Sequence, residues 1–413
     1  MANNNNISVL QNSLMFTMSL SAKELFHSNF IVYLAQKHTG LFNEIMKKVT
    51  NDPNFEFDPN SQSIKREKSH TDIMIVNNVG KKASLIIENK FKSIPYREQL
   101  ERYVNKVTEI DKDTKLILLC LTPNVINLNS NNGVVEVTKK GVKYNWQILK
   151  YDDFIKTYNN CFNNYNAPSE YAKSALEDYG TFVSSLIDYI DKHNITTSSK
   201  LSKLPITTDE MNLRMHDITS KIRYSTLASF VYDELKKRQI NVVLDEKQKN
   251  YPYVFIKSAY EAAGPLMECN IRINLGNSYA LYLIQVQNNI QAKKNTYGRG
   301  IIYYKDPKGY GSKHKDAWTA MCSDVQLKTI IGNKLVLNDN LSNSNWVQGN
   351  ASIDGPKCAT NNYPNCPKGK AKNYPYYHFN SFIIEKWDLD ENKTIRDLVD
   401  DIVTDVNSIY SKL

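Results

Sequence analysis

Two acids and a lysine stand out by their spacing. Asp72 opens the apolar run Ile73-Met74-Ile75-Val76, and Glu88 closes the run Ala83-Ser84-Leu85-Ile86-Ile87, followed by Asn89 and Lys90. Residues two apart on a strand share a face, so Glu88 and Lys90 project together. Between the runs, Asn77-Asn78-Val79-Gly80-Lys81-Lys82 reads as a turn in which Gly80 supplies backbone freedom. A hairpin closed there brings Asp72 back beside Glu88. Two carboxylates and an ammonium at one sheet end suit a divalent cation such as magnesium, which takes carboxylate ligands together with water and phosphate oxygens. An ion so held activates water and neutralises charge building on a phosphodiester, while a lysine beside it orients or deprotonates the water and stabilises the transition state.

Several elements must position this set. Leu25, Phe26, Phe30, Tyr33 and Leu34 recur at helical steps, predicting a helix from Ser21 to about Gln36, with Ser21 and Glu24 spaced as a capping box. A second helix is predicted from Pro95 to about Val107, and Lys115 to Leu121 reads as a strand covered on both faces. A strand over Trp146–Lys150 follows, then a helix capped by Asp152 or Asp153, then a long helix over residues 168–190. Helix, hairpin, helix and buried strand make an α/β fold with a central mixed sheet flanked by helices.

Three motifs then carry a family resemblance. The pattern Asp72, fifteen residues, Glu88-Asn89-Lys90 resembles the signature of the PD-(D/E)XK nuclease superfamily. Gln99 and Tyr103 match the Q-x-x-x-Y motif of its RecB-like branch, and Lys23-Glu24-Leu25-Phe26-His27-Ser28 resembles the first-helix segment of a bacterial defence-type subgroup. The residue before Asp72 is Thr71, not the proline of the superfamily's name. By this resemblance, which spans roughly residues 15 to 160, Asp72 and Glu88 bind metal and Lys90 serves the water. Glu24 is then an additional ligand, and Gln99 and Tyr103 support the site or contact the substrate backbone. Each has a plainer reading: Glu24 as a capping acid, Asp72 as a turn acid, Glu88 and Lys90 as an exposed strand pair, Gln99 and Tyr103 as a helix-face pair. His27 and His70 are read as ordinary polar residues outside the site.

The remainder is less specific. Asn194 to Pro205 is a polar stretch, which divides a domain over residues 1–195 from an α+β region over 206–413. In the latter, 209–238 has a helical pattern, 252–288 alternates like strands with a tight turn at Gly276-Asn277-Ser278, and 290–378 reads as long loops. An amphipathic helix is expected over Thr394–Tyr410, and Asn3–Asn6 as a loosely attached tract. Lys293, Lys294, Tyr297 and Arg299 combine phosphate-binding charge with a stacking ring, as do Lys368 to Lys372 with the tyrosines after them. Solvated loops with packing tyrosines explain both stretches nearly as well.

Composition is compatible with this reading. The formal charge is +9, which suits an anionic partner. Six scattered cysteines without a C-x-x-C pair fit a reducing cytoplasm, and Cys322, Cys358, Cys366 and His378 match no zinc spacing. The start of the chain does not read as a signal peptide, and no stretch approaches the roughly 20 apolar residues a bilayer requires. The expectation is a cytoplasmic Mg2+-dependent deoxyribonuclease, with Mn2+ as a substitute, serving bacterial restriction or anti-phage defence. Its partner is DNA; a homodimer would supply the two sites that paired double-strand cleavage needs, and a defence-system subunit is the other partner expected. A repair or recombination nuclease acting on DNA ends, and a binding module without catalysis, are the rival classes.

Overall fold

Alternation along the central strands sorts their side chains onto two faces, and both faces are buried. The computed structural model describes residues 2–68, 71–93, 95–121, 128, 132–243, 252–261, 264–275, 278–289, 294–305, 325–331, 376–378 and 381–413. The chain divides into two compact units, residues 1–194 with 209–222, and residues 195–208 with 223–413.

The first unit is built on six strands: β1 (Gln62–Lys68), β2 (Thr71–Asn77), β3 (Ala83–Lys90), β4 (Lys115–Cys120), β5 (Val134–Lys139) and β6 (Val142–Lys150). Their order is β1-β2-β3-β4-β6-β5; β3–β4 and β4–β6 are parallel and the other pairs antiparallel, so the sheet is mixed. Its helices are α1 (Ala2–Asn12), α2 (Leu14–Ser19), α3 (Lys23–Lys37), α4 (Thr39–Val49), α5 (Arg97–Lys106), α6 (Tyr151–Phe162) and α7 (Glu170–His193). Odd-numbered Ile73, Ile75, Leu85, Ile87, Ile117 and Leu119 share a core with Phe30, Leu34 and Phe182 of α3 and α7. Even-numbered Met74, Val76, Ile86, Leu116 and Leu118 share the opposite core with Leu100, Tyr103 and Val104 of α5. Each such side chain contributes roughly 1.5–3 kcal/mol on burial, so the register is strongly specified. The same parity sends Glu88 and Lys90 toward α5 and Asn89 toward α3.

Some local expectations are corrected. The Asn3–Asn6 tract lies in α1, which packs on α7 through a segment that buries Leu10, so tertiary contact outweighs its polarity. Strand β5 is an addition to the sequence reading, although Val135 and Val137 are buried and alternate with exposed neighbours. It turns into β6 through Lys140 and Gly141, both at positive φ, which is the backbone of a two-residue hairpin loop. Asp152 and Asp153 lie in the first turn of α6 and do not cap it; Lys150 occupies the cap position without a side-chain bond.

Beyond α7, residues 209–238 form two helices, α8 (Thr208–Asn212) and α9 (His216–Lys237), because Arg214 takes a left-handed φ of 55° between them. The second unit holds a seven-stranded sheet that includes Tyr253–Glu261, Gly264–Asn274, Ser278–Asn289 and Lys294–Lys305. The last of these lies inside the stretch expected as loops. It pairs along its whole length with Ser278–Asn289, and its two glycines and basic residues mask the strand in the sequence. The expected turn at Gly276 and Asn277 falls outside the described residues. The helix Ile395–Tyr410 is as expected: a Thr394–Asp397 capping box starts it, and Ile395, Leu398, Val399, Ile402, Val403, Val406 and Ile409 are all buried. Among the described residues, no helix is long and apolar enough to cross a membrane.

Candidate active site

The hairpin register places the two acids together. Ile73 pairs with Ile87, so one step further along the antiparallel ladder Asp72 comes opposite Glu88. The Asn89 backbone N–H donates to Asp72 Oδ2 at 2.7 Å, tying the start of β2 to the end of β3. Lys90 Nζ lies 2.7 Å from Glu88 Oε1, with the two side chains only 8% and 1% exposed. The exposed strand pair allowed by the sequence is therefore a buried ion pair. Glu88 Oε2 is also buried and has no hydrogen bond of its own, while the Tyr103 hydroxyl lies close enough to Glu88 to stabilise its charge.

These contacts set the electrostatics. Burial raises the Asp72 carboxyl above its ordinary range, against the lowering effects of the Asn89 N–H and Lys90. Burial likewise pushes Glu88 up to about 7, and the charge of Asp72 adds to the shift while Lys90 opposes it. For Lys90, burial favours the neutral amine, but Glu88, both through its charge and through the hydrogen bond, more than offsets this and keeps the ammonium above its ordinary value. Burial and Glu88 hold the Tyr103 phenol at about 12. Lys90 and Tyr103 thus hold their protons more tightly than ordinary groups of their kind, and so do the two acids.

Asn89, in the middle of the motif, holds the surrounding elements. Its amide donates to the Glu24 carbonyl (2.9 Å) and to Ser28 Oγ (3.0 Å), and its oxygen accepts from the Tyr151 hydroxyl at 2.7 Å. Sequence reasoning gives Asn89 no role, since its partners lie far away along the chain. Asn89→Ala removes all three side-chain bonds from a buried setting, and we expect a loss of stability on the order of 3 kcal/mol in urea unfolding, with an unchanged denaturant slope. Next to it, His27 is fully buried, stacks on Phe91 at 3.6 Å and pairs with the Tyr179 hydroxyl; burial drives its pKa down to about 3, so it is neutral.

Glu24 does not form the expected capping box. Ala22 is the cap of α3, the Ser21 hydroxyl donates to the Met18 carbonyl, and Glu24 Oε1 instead accepts the backbone N–H groups of Lys92 (3.0 Å) and Ser93 (2.6 Å). Two N–H donors in the loop after β3 are a better partner for a carboxylate than the single N-cap N–H that a capping box offers it. The Glu24 charge still acts on both Asp72 and Lys90. On α5, Gln99 Nε2 donates to the Tyr103 hydroxyl. Lys90, Ser93, Tyr96, Glu98, Gln99 and Arg102 line a cleft of about 450 Å³.

The fold therefore brings together Glu24, Asp72, Glu88, Lys90, Gln99 and Tyr103. The basic, aromatic set farther along behaves differently. Lys293 lies outside the described residues, as do His70, Cys322, Cys358, Cys366 and Lys368–Lys372; Lys294 begins its strand. Tyr297 is 2% exposed and donates to Asp405 at 2.7 Å, while the Arg299 guanidinium grips both oxygens of Asp405 at 2.7 Å. A ring so buried cannot stack on a base, and this arginine is engaged by an internal carboxylate.

Among the described residues, no three His, Cys, Asp or Glu side chains meet in a ligand cluster. Asp72 and Glu88 nonetheless fit a hard divalent cation, because an unpartnered buried carboxylate oxygen faces the costs that such an ion removes.

Residues 12–181 match the family model of the PD-(D/E)XK nuclease superfamily. The matched segment contains all six strands of the first sheet and every residue of the Glu24-to-Tyr103 set. No curated protein and no solved structure matches the chain.

Proposed function

We propose that this chain, whose residues 12–181 match the family model of the PD-(D/E)XK nuclease superfamily, hydrolyses DNA phosphodiesters with the help of a divalent cation held by Asp72 and Glu88. The observation that carries the reading is Glu88 Oε2, buried without a donor on a carboxylate opposite Asp72. Magnesium is the preferred ion and manganese a substitute, with water and substrate oxygens completing a shell that two carboxylates begin. Such an ion would lower the pKa of a bound water and offset charge on the phosphate. Glu24 braces the loop beyond Lys90 and adds negative charge to the same site. Lys90, paired with Glu88 at 2.7 Å, would serve the attacking water and donate to phosphate oxygens. Gln99 lines the cleft and donates to the buried Tyr103 hydroxyl, which faces Glu88.

The biological setting we favour is bacterial restriction or defence against phage, on the resemblance carried by the Lys23–Ser28 segment. The purified full chain, given plasmid, linear DNA and RNA with Mg2+, Mn2+ or EDTA, is expected to cut DNA only with metal. Cutting that persists in EDTA, or no cutting of any substrate, would overturn the proposal. Degradation of linear DNA alone would favour the end-processing reading, which the bonded Gln99–Tyr103 pair of the RecB-like motif supports. Cutting both strands at one place takes two sites, so a homodimer or a partner subunit is expected at the substrate.

Glu88 also links metal to pH. Its folded value of about 7 exceeds the ordinary 4.5. Between those values the folded chain retains a proton that the unfolded chain releases, so metal-free stability falls as pH rises, by up to ~3 kcal/mol above the window. A cation competes with that proton. Added Mg2+ is therefore expected to raise the melting temperature more at pH 8 than at pH 6, and Glu88→Gln should abolish the difference. Equal shifts at both pH values in the wild-type chain would exclude Glu88 as the ligand.

A further inference from the structure

The loop after β3 and the start of α9 gather cations beside the candidate active site. Asp217 pairs with Lys23 Nζ and lies 3.3 Å from Lys92 Nζ, and Lys23 also donates to the Arg214 carbonyl at 2.6 Å. Lys221 Nζ donates to the Lys92 carbonyl at 3.3 Å. Around Asp217 the charges are thus those of Lys23, Lys92 and Lys221, with Arg214 near enough to act on Lys23. Asp217, with Glu24 acting on Lys221, offsets only part of this charge.

The cluster is continuous with the active-site elements. Lys23 precedes Glu24, Lys92 follows Lys90 by two residues, and the Lys92 N–H is bonded to Glu24 Oε1. Asp217 and Lys221 come from residues 209–222, which join the first unit from beyond the boundary drawn on the sequence. A merely structural clamp would need one ammonium on Asp217; here a second, Lys92, is 46% exposed and stands at the surface.

We propose that Lys23, Lys92 and Lys221 form a binding site for a backbone phosphate of the nucleic acid, adjacent to the phosphate that is cut. The inference rests on the nuclease reading above and adds where the strand runs. Ammonium groups act as point charges on phosphate, so the site grips the backbone without reading sequence.

Binding of the full chain to a fluorescent DNA duplex in EDTA, measured over a range of salt, tests this. Lys92→Gln with Lys221→Gln is expected to weaken binding at least tenfold and to reduce the salt slope by about one for each ammonium removed. Lys221→Arg keeps the charge and should bind as wild type does, and Lys173→Gln on the exposed side of α7 should change nothing. A wild-type slope and affinity in the double variant, or equal losses in Lys221→Arg and Lys221→Gln, would overturn the site while leaving cleavage by the wild-type chain intact. A wild-type chain that neither binds nor cuts DNA would remove the nuclease reading and this site with it.

Discussion

Asp72→Asn is expected to lower metal-dependent DNA cleavage on the order of 10³-fold while leaving the chain as stable as wild type or more so. The two halves of this outcome have one cause. Burial disfavours the Asp72 charge, and Glu24 and Glu67 add repulsion, so the folded chain bears a cost for keeping an anion there. The amide oxygen of asparagine can still accept the Asn89 N–H that Asp72 Oδ2 accepts now. The link between β2 and β3 survives, and only the charge is removed. A cation held by Asp72 and Glu88 loses half of its protein ligands, which removes several kcal/mol of transition-state stabilisation. Initial rates with Mg2+ and thermal melts in EDTA at pH 8 check both parts. A variant that cuts at the wild-type rate would show that Asp72 is not a ligand. A variant that melts well below wild type would show that its charge serves the fold.

Lys90→Ala is expected to lose both activity and stability, with the stability loss depending on pH. Removing one partner from a buried ion pair costs about 3–5 kcal/mol when the other remains charged. Glu88 can escape that cost by taking a proton, which it already holds more tightly than an ordinary glutamate, with a pKa of about 7. At pH 6 the carboxyl is largely protonated in both proteins and the loss should be small. At pH 8 it is ionised beside the ammonium in the wild type, whereas in the variant the lowering effect of Lys90 is gone and the carboxyl must take up a proton to avoid an unpaired buried charge, so the loss should be larger there than at pH 6. Cleavage should fall roughly 10²–10³-fold at either pH, because an ammonium aimed at phosphate oxygens stabilises charge in the transition state. Urea unfolding at the two pH values measures the first effect. Equal destabilisation at both would mean that the Glu88–Lys90 pair does not set the ionisation of this site.

Individual residues explain how much of the site and fold is legible in the sequence. The E-x-K pair and the returning Asp72 lie within one hairpin, and strand periodicity alone puts Glu88 and Lys90 on one face. The C-terminal helix is equally plain, since seven apolar residues at helical spacing leave one way to bury them. The capping box at Ser21 and Glu24 fails because the motif is local and its rival is not: the N–H groups of Lys92 and Ser93 lie nearly 70 positions away in sequence. Tyr297 and Arg299 depart from expectation for the same reason, as Asp405 reaches them from the last helix.

Sequence by itself therefore determined the kinds of groups present, their order, and the elements that carry them, because periodicity and turn chemistry act over a few residues. Tertiary structure decided the rest. It buried Glu88 and Lys90 beneath α5, made Asn89 the link between α3, β2 and α6, turned Glu24 toward the loop after β3, and delivered Asp217 and Lys221 from past the boundary. Burial and long-range pairing control whether a carboxylate is a solvated surface charge or a strained ligand, and neither is encoded in the spacing of neighbours along the chain.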